Sequence, residues 1–264
     1  MTTFRRRVIL VLLLFAVAGG LLWLGVAPRE PSYQGKSLTT WIKQYQDKSF
    51  DAEAAAAIQH CGTNSIPLLL RMLATHESPL RIKLTSRIPK SWLTTLHISD
   101  VDAYWLQVDA RRTLGAYGIA AFGEQARPFV PALIVLLDDK SLRVRYLTVF
   151  TLRCLGPAAD AALPALIKCL TDPDFDIKDD SVTAMGTIHE QPELVVPLIM
   201  NFLEANRANT ILRMDAIIAL GQFKQQAKPA VPMLIGFLND PDPQIRSQAT
   251  NALLKIEPAA LPRQ

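Results

Sequence analysis

Apolar residues recur along this chain in two alternating helical patterns. Take Arg112, Arg145, Lys178, Arg213 and Arg246 as reference positions. Seven places after each stands an apolar residue: Ile119, Leu152, Met185, Leu220 and Leu253. Ten places after stands another (Phe122, Leu155, Ile188, Phe223, Ile256), and six places after a small one (Gly118, Thr151, Ala184, Ala219, Ala252). Asp51 serves as an earlier reference, with Ala57, Ile58 and Cys61 in those slots. Offsets of 3, 6, 7 and 10 mark one face of a helix. A second apolar run follows each of the first five, opened by Pro67, Pro131, Pro164, Pro197 or Pro232. Proline in the first helical turn loses no hydrogen bond, because that N–H has no intrahelical acceptor. The pattern predicts two helices per unit.

The references are 61, 33, 33, 35 and 33 residues apart. Periods in the thirties with a helix pair per unit predict an all-α fold, an α-α superhelix over residues 47–258. The long first interval is one period plus an insertion at about residues 75–102. The last unit has a first helix and stops near Pro258. Either it is truncated, or Ala259, Ala260 and Leu261 finish it, leaving 259–264 as the tail. Four residues before the references stand Asp47, Ser141, Asp174, Asn209 and Asp242, all good helix N-caps. Val108 breaks this rule, so the helix carrying Arg112 is expected to begin earlier, near Ser99 or Asp100. Ser37 is expected to cap a short helix at 37–46. Its Leu38, Trp41, Ile42 and Tyr45 would cover the open end of the array. A partner-binding helix is the rival reading.

The Asp172-Pro173-Asp174 and Asp240-Pro241-Asp242 turns, the basic reference positions, the run from Ala216 to Gly221 and the Val-Pro openings resemble the HEAT-repeat family. The resemblance covers Asp47 to Pro258. It implies a right-handed superhelix that binds other proteins. Tyr33 to Trp41 also resembles the lead-in of membrane-anchored HEAT proteins of the Verrucomicrobia and Planctomycetes type, which implies no activity.

The first residues decide the compartment. Arg5, Arg6 and Arg7 precede an uncharged apolar run from Val8 to Val26. Nineteen residues of helix cross roughly 30 Å of hydrocarbon. The basic stub 1–7 would stay cytoplasmic and the rest would lie outside, giving a single-pass bacterial inner-membrane protein. The alternative is a signal peptide cleaved after Ala16-Val17-Ala18, from which the apolar run nevertheless continues. Residues 27–36 read as a linker. Arg5, Arg6, Arg7 and Arg29 against Glu30 hold +3 of the chain's net +4. The remaining 234 residues carry only +1, which argues against a nucleic-acid surface.

Candidate chemistry is sparse. His60, His76, His97 and His189 show no zinc spacing. Cys61, Cys154 and Cys169 form no Cys-x-x-Cys and read as buried thiols, with a Cys154–Cys169 disulfide left open. Asp172, Asp174 and Asp176 imitate a calcium loop, but Ile177 and Thr183 occupy its glycine and glutamate positions. Asp179 and Asp180 read as favouring the positive first turn of a helix. No cofactor or metal site is expected. The function expected is a non-enzymatic scaffold for an unidentified protein partner. Its candidate contacts are Arg71, Lys168 and Asn201 on the second helices, and Arg81, Arg87 and Trp92 in the insertion. The insertion reads either as a binding element or as a long loop with a small core around its tryptophans. An exported enzyme or lyase using the groove is the first alternative, since some HEAT-like proteins are bilin lyases or DNA glycosylases. A nucleic-acid binder is the second.

Overall fold

The computed structural model describes residues 30–95 and 101–261. The apolar run at 8–26, the expected helix start at Ser99 or Asp100, and residues 262–264 lie outside them. The described chain opens with a hairpin, β1 (Ser32–Tyr33) antiparallel to β2 (Lys36–Ser37). Residues expected to be linker therefore pair, because Gln34 and Gly35 both take positive φ and close a tight turn. The hairpin pins the cap helix α1 (Leu38–Asp47): Trp41 Nε1 donates to the Tyr33 carbonyl at 3.1 Å. The Tyr33 ring stacks on His60 at 4.6 Å. Ser37 caps α1 through the Thr40 N–H, and Leu38, Trp41, Ile42 and Tyr45 are buried.

The first helices of the units are α2 (Ala52–His60), α6 (Val101–Ala120), α8 (Leu142–Leu155), α10 (Phe175–Ile188), α12 (Thr210–Gln222) and α14 (Pro243–Ile256). The second helices are α3 (Ile66–Leu73), α7 (Val130–Leu136), α9 (Leu163–Cys169), α11 (Pro192–Ala205) and α13 (Val231–Phe237). The insertion holds two short helices, α4 (Pro79–Thr85) and α5 (Lys90–Thr95). From α6 onward each first helix packs on the next, and α9, α11 and α13 also touch the first helix that follows them. The slots read from sequence are the core: Ile119, Leu152, Met185, Leu220 and Leu253 are wholly buried. Pro258–Ala260 forms one turn, and Ala260 and Leu261 pack on the core after the last helix.

Two backbone devices recur with the period. Eleven residues after the reference, the chain takes positive φ at Gly62, Gly123, Gly156, His189 and Lys224. That turn follows every first helix but the last, α14. Six residues before the reference, Asp139, Asp172 and Asp240 accept the N–H two residues on, at 2.7–2.9 Å. The reference arginines then bind these turns. Arg145 pairs with Asp172 (3.2 Å) and Arg213 with Asp240 (2.7 Å), each in the turn leading to the next unit. Arg145 and Arg246 also donate to the carbonyls of Asp139 and Asp240 in their own turns.

Three local expectations are corrected. Asp47 is not an N-cap: α1 runs through it, the chain turns at Ser49 and Phe50 with positive φ, and Asp51 caps α2. Pro197 does not open α11; the helix starts at Pro192, after left-handed His189 and Gln191. Elsewhere a short 3₁₀ segment occupies that stretch. Asp179 and Asp180 lie beyond the first turn of α10, whose N-cap is Asp174. Asp179 sits among acidic neighbours and Asp180 against Arg153, rather than at free N–H groups.

Adjacent first helices approach until backbone meets backbone. A methyl group added at Gly186 would lie 2.7 Å from the Ala219 Cα, whereas one added at Gly236 meets nothing within 4 Å. Gly186→Ala should therefore destabilise the fold by about 1–3 kcal/mol through overpacking. Gly236→Ala should be neutral or stabilise by about 0.5–1 kcal/mol. Urea denaturation of the two variants checks the contrast.

Candidate functional site

The helix that breaks the capping rule builds the site. α6 holds Arg112 in the common register but already runs from Val101, so its first turns extend past the starts of α8 and α10. On one side these turns carry the insertion. The Tyr104 hydroxyl accepts the Ser78 N–H (2.8 Å), and the Arg81 guanidinium lies 4.2 Å over the Tyr104 ring. Buried Arg112 donates to the Thr75 carbonyl (2.7 Å) and pairs with Glu77 (2.7 Å). His76 binds Asp139 at 2.9 Å.

On the other side lies an open cleft of about 1010 Å³. Trp105, Leu106 and Leu142 form apolar wall; Glu77, Asp102, Asp109, Asp174 and Asp176 supply carboxylates; Lys140 and Arg143 supply positive charge. Arg143 is held by Asp109 at 2.6 Å and lies 5.5 Å over the Tyr146 ring. Trp105 and Leu106 stay substantially exposed, at 46% and 72%. Such a mixture of exposed aromatic, aliphatic and charged groups suits a peptide or protein segment.

The six residues named from sequence fall elsewhere, and none lines this cleft. Arg71, Lys168 and Asn201 are exposed and share one position on α3, α9 and α11, four residues after the proline. Lys168 is paired with Asp138 at 2.7 Å. Arg81 and Arg87 are exposed on the insertion, and Trp92 is 67% exposed. Among its described residues the insertion forms two short helices and buries Thr85 and Leu93, while Trp92 stays outside that small core. Sequence reasoning missed His76, Glu77, Asp109, Lys140, Arg143 and Tyr146. The one signal for them was Val108 at a capping position, since a first helix with extra turns must project.

The environment of the three thiols disfavours the thiolate. Cys61, Cys154 and Cys169 are all free. Burial raises each of them, Cys154 up to about 11. Among the described residues no group of three His, Cys, Asp or Glu could hold a metal.

Truncating the Arg112 side chain isolates Glu77. Arg112→Met should cost about 3 kcal/mol, as for loss of one partner from a buried pair. It should also expose residues 75–93 to limited proteolysis before the rest of the chain unfolds.

Beyond the cleft, α10 continues its acidic face. Burial, a hydrogen bond with Asp215, and the charges of Asp215, Asp180 and Asp176 push the Asp179 carboxyl up to about 7. Burial also raises Asp180, against the opposing pull of Arg153 at 3.4 Å. A carboxyl whose folded value exceeds its unfolded value holds a proton that unfolding releases. Its stabilising contribution is complete below the usual carboxylate range and lost as the pH rises to about 7. The melting temperature should therefore fall between pH 5 and pH 8. Asp179→Asn should flatten that fall and raise the melting temperature at the upper end.

The comparisons with known proteins bear on the repeats. A family model described as HEAT repeat matches residues 230–258. No curated protein matches the chain. Among solved structures, the chain is similar to a designed armadillo repeat protein in complex with the peptide (KR)4. That likeness has 15% identity, covers 84% of this chain and 100% of that one, and has a TM-score of 0.49. It is also similar to the CpcE and CpcF complex of phycocyanin lyase from Nostoc sp. PCC7120 (21% identity, 71% and 70% covered, TM-score 0.45). An engineered protein is a third likeness (17% identity, 83% and 96% covered, TM-score 0.45). The stacked helix pairs make the described chain an all-α solenoid, which the HEAT-repeat model matches at residues 230–258.

Proposed function

We propose that this chain is a non-enzymatic scaffold that holds a segment of a partner protein in the cleft beside α6. The carrying observation is the juxtaposition of exposed Trp105 and Leu106 with Leu142, Lys140 and the acidic start of α10. A repeat array gains such a surface wherever one unit departs from the period. The absence of a lowered thiol and the internal pairing of Arg112 and Arg143 support a binding role over a catalytic one. Five carboxylates around the cleft disfavour a phosphodiester ligand.

The same reading places the scaffold at a membrane. The apolar run Val8–Val26 behind three arginines supports a single span with the solenoid on the non-cytoplasmic side. It supports the membrane-anchored HEAT type as well, and cleavage after Ala18 would release the same solenoid.

A photo-crosslinking residue at Leu106, in the full chain in native membranes, should yield a discrete protein adduct. The same residue at exposed Leu254 should not. Absence of an adduct at Leu106, or the same adducts at both positions, would sink the scaffold reading.

A further inference from the structure

The insertion presents a surface unlike the rest of the solenoid. Leu80 and Leu84 stand one helical turn apart on α4 and are 74% and 65% exposed, and Trp92 on α5 is 67% exposed. Arg81, Lys83 and Arg87 are exposed among them. Lys83 and Arg87 have no acidic partner among the described residues. From Ser78 to Ser99 the chain has no Asp or Glu, and Lys90 brings the segment to +4. Residues 31–264 carry +1 in all, so everything outside this segment sums to −3. Positive charge and exposed large apolar side chains coincide here on a net-acidic background.

We propose that α4 and α5 dock on an anionic phospholipid surface as a second membrane contact. Leucine and tryptophan enter the interface while lysine and arginine meet lipid phosphates. Each basic residue near an anionic leaflet strengthens partitioning about fivefold.

The placement fits the tether, and for that geometry the inference rests on the membrane reading above. Residues 27–31 separate the apolar run from β1 and span at most about 18 Å. The insertion leaves α3 and enters α6, which packs against both α3 and the cap helix α1. At 8–10 Å per helix layer it lies roughly 20 Å from the tethered end. Arg112, Glu77 and Tyr104 hold its root, so the exposed residues form a fixed face rather than a free strand.

Hydrogen exchange of the full chain in vesicles tests the idea. Amides of residues 78–93 should exchange at least about tenfold more slowly in phosphatidylglycerol vesicles than in phosphatidylcholine vesicles. Lys83→Glu with Arg87→Glu should abolish the difference, and so should Leu80→Ser with Leu84→Ser and Trp92→Ser. All five positions are exposed, and unchanged melting temperatures will show that the variants fold. No slowing in either vesicle overturns the proposal, and equal slowing in both overturns the anionic assignment. Slowing that appears only when native membrane proteins are added indicates an acidic protein partner and also overturns it. Flotation with phosphatidylcholine vesicles reads the tether separately. A chain that fails to float there yet is protected by phosphatidylglycerol rejects the tether and keeps the docking face.

Discussion

The contact between consecutive first helices sets the geometry on which everything else in this solenoid depends. At Gly186 the neighbouring helix approaches until its Ala219 backbone fills the place of a side chain, and Gly221 meets Ala252 in a looser version of the same contact. Helices this close must keep one register, because a shift would drive a larger residue into backbone. The arginine at the reference position enforces that register from the side. Arg145 and Arg213 reach across to the aspartates that shape the next turn. Those aspartates fold the turn on themselves and deliver the residue two places on as an N-cap. Core, turn and cap are thus one repeated device, and neither end of the array can do without a cover.

The departures from that device carry the interesting surfaces. α6 obeys the register at Arg112, with Ile119 and Phe122 in the common slots, yet has extra turns before them. Turns that project past their neighbours have no next helix to pack against. Tyr104 finds a partner in the insertion, while Trp105 and Leu106 are left facing the cleft. Of the described large apolar side chains at least 65% exposed, all but Val135 lie in the insertion or on these first turns of α6.

This division explains what could be read from the sequence. The helix pairs, their order and the buried slots were legible because one physical requirement recurs with a fixed spacing and each unit repeats the evidence. Single positions fared worse. Asp47 has the right residue type for a cap, but α1 runs through it and Asp51 does the capping. Pro197 has the right spacing, but Pro192 had already started the helix. Asp179 and Asp180 were read for their distance from a helix start, when their surroundings are set by Asp215 on the next unit and Arg153 on the previous one. The cleft was illegible for the same reason. His76, Asp109, Lys140, Arg143 and Asp174 come from different units and no local pattern joins them.

Glu77 ties the two irregular surfaces together. Its carboxylate lines the cleft and also neutralises Arg112, the buried group that roots the insertion. His76 likewise lines the cleft while binding Asp139, whose other role is to hold the Ser141 N–H at the start of α8. A ligand entering the cleft therefore meets groups that already position both walls. A strong cation there would compete with Arg112 for Glu77 and leave a buried guanidinium without its counterion, at a cost of several kcal/mol. The cleft thus disfavours ligands that bind through Glu77. It favours those that bury Trp105 and Leu106 and leave the root of the insertion intact.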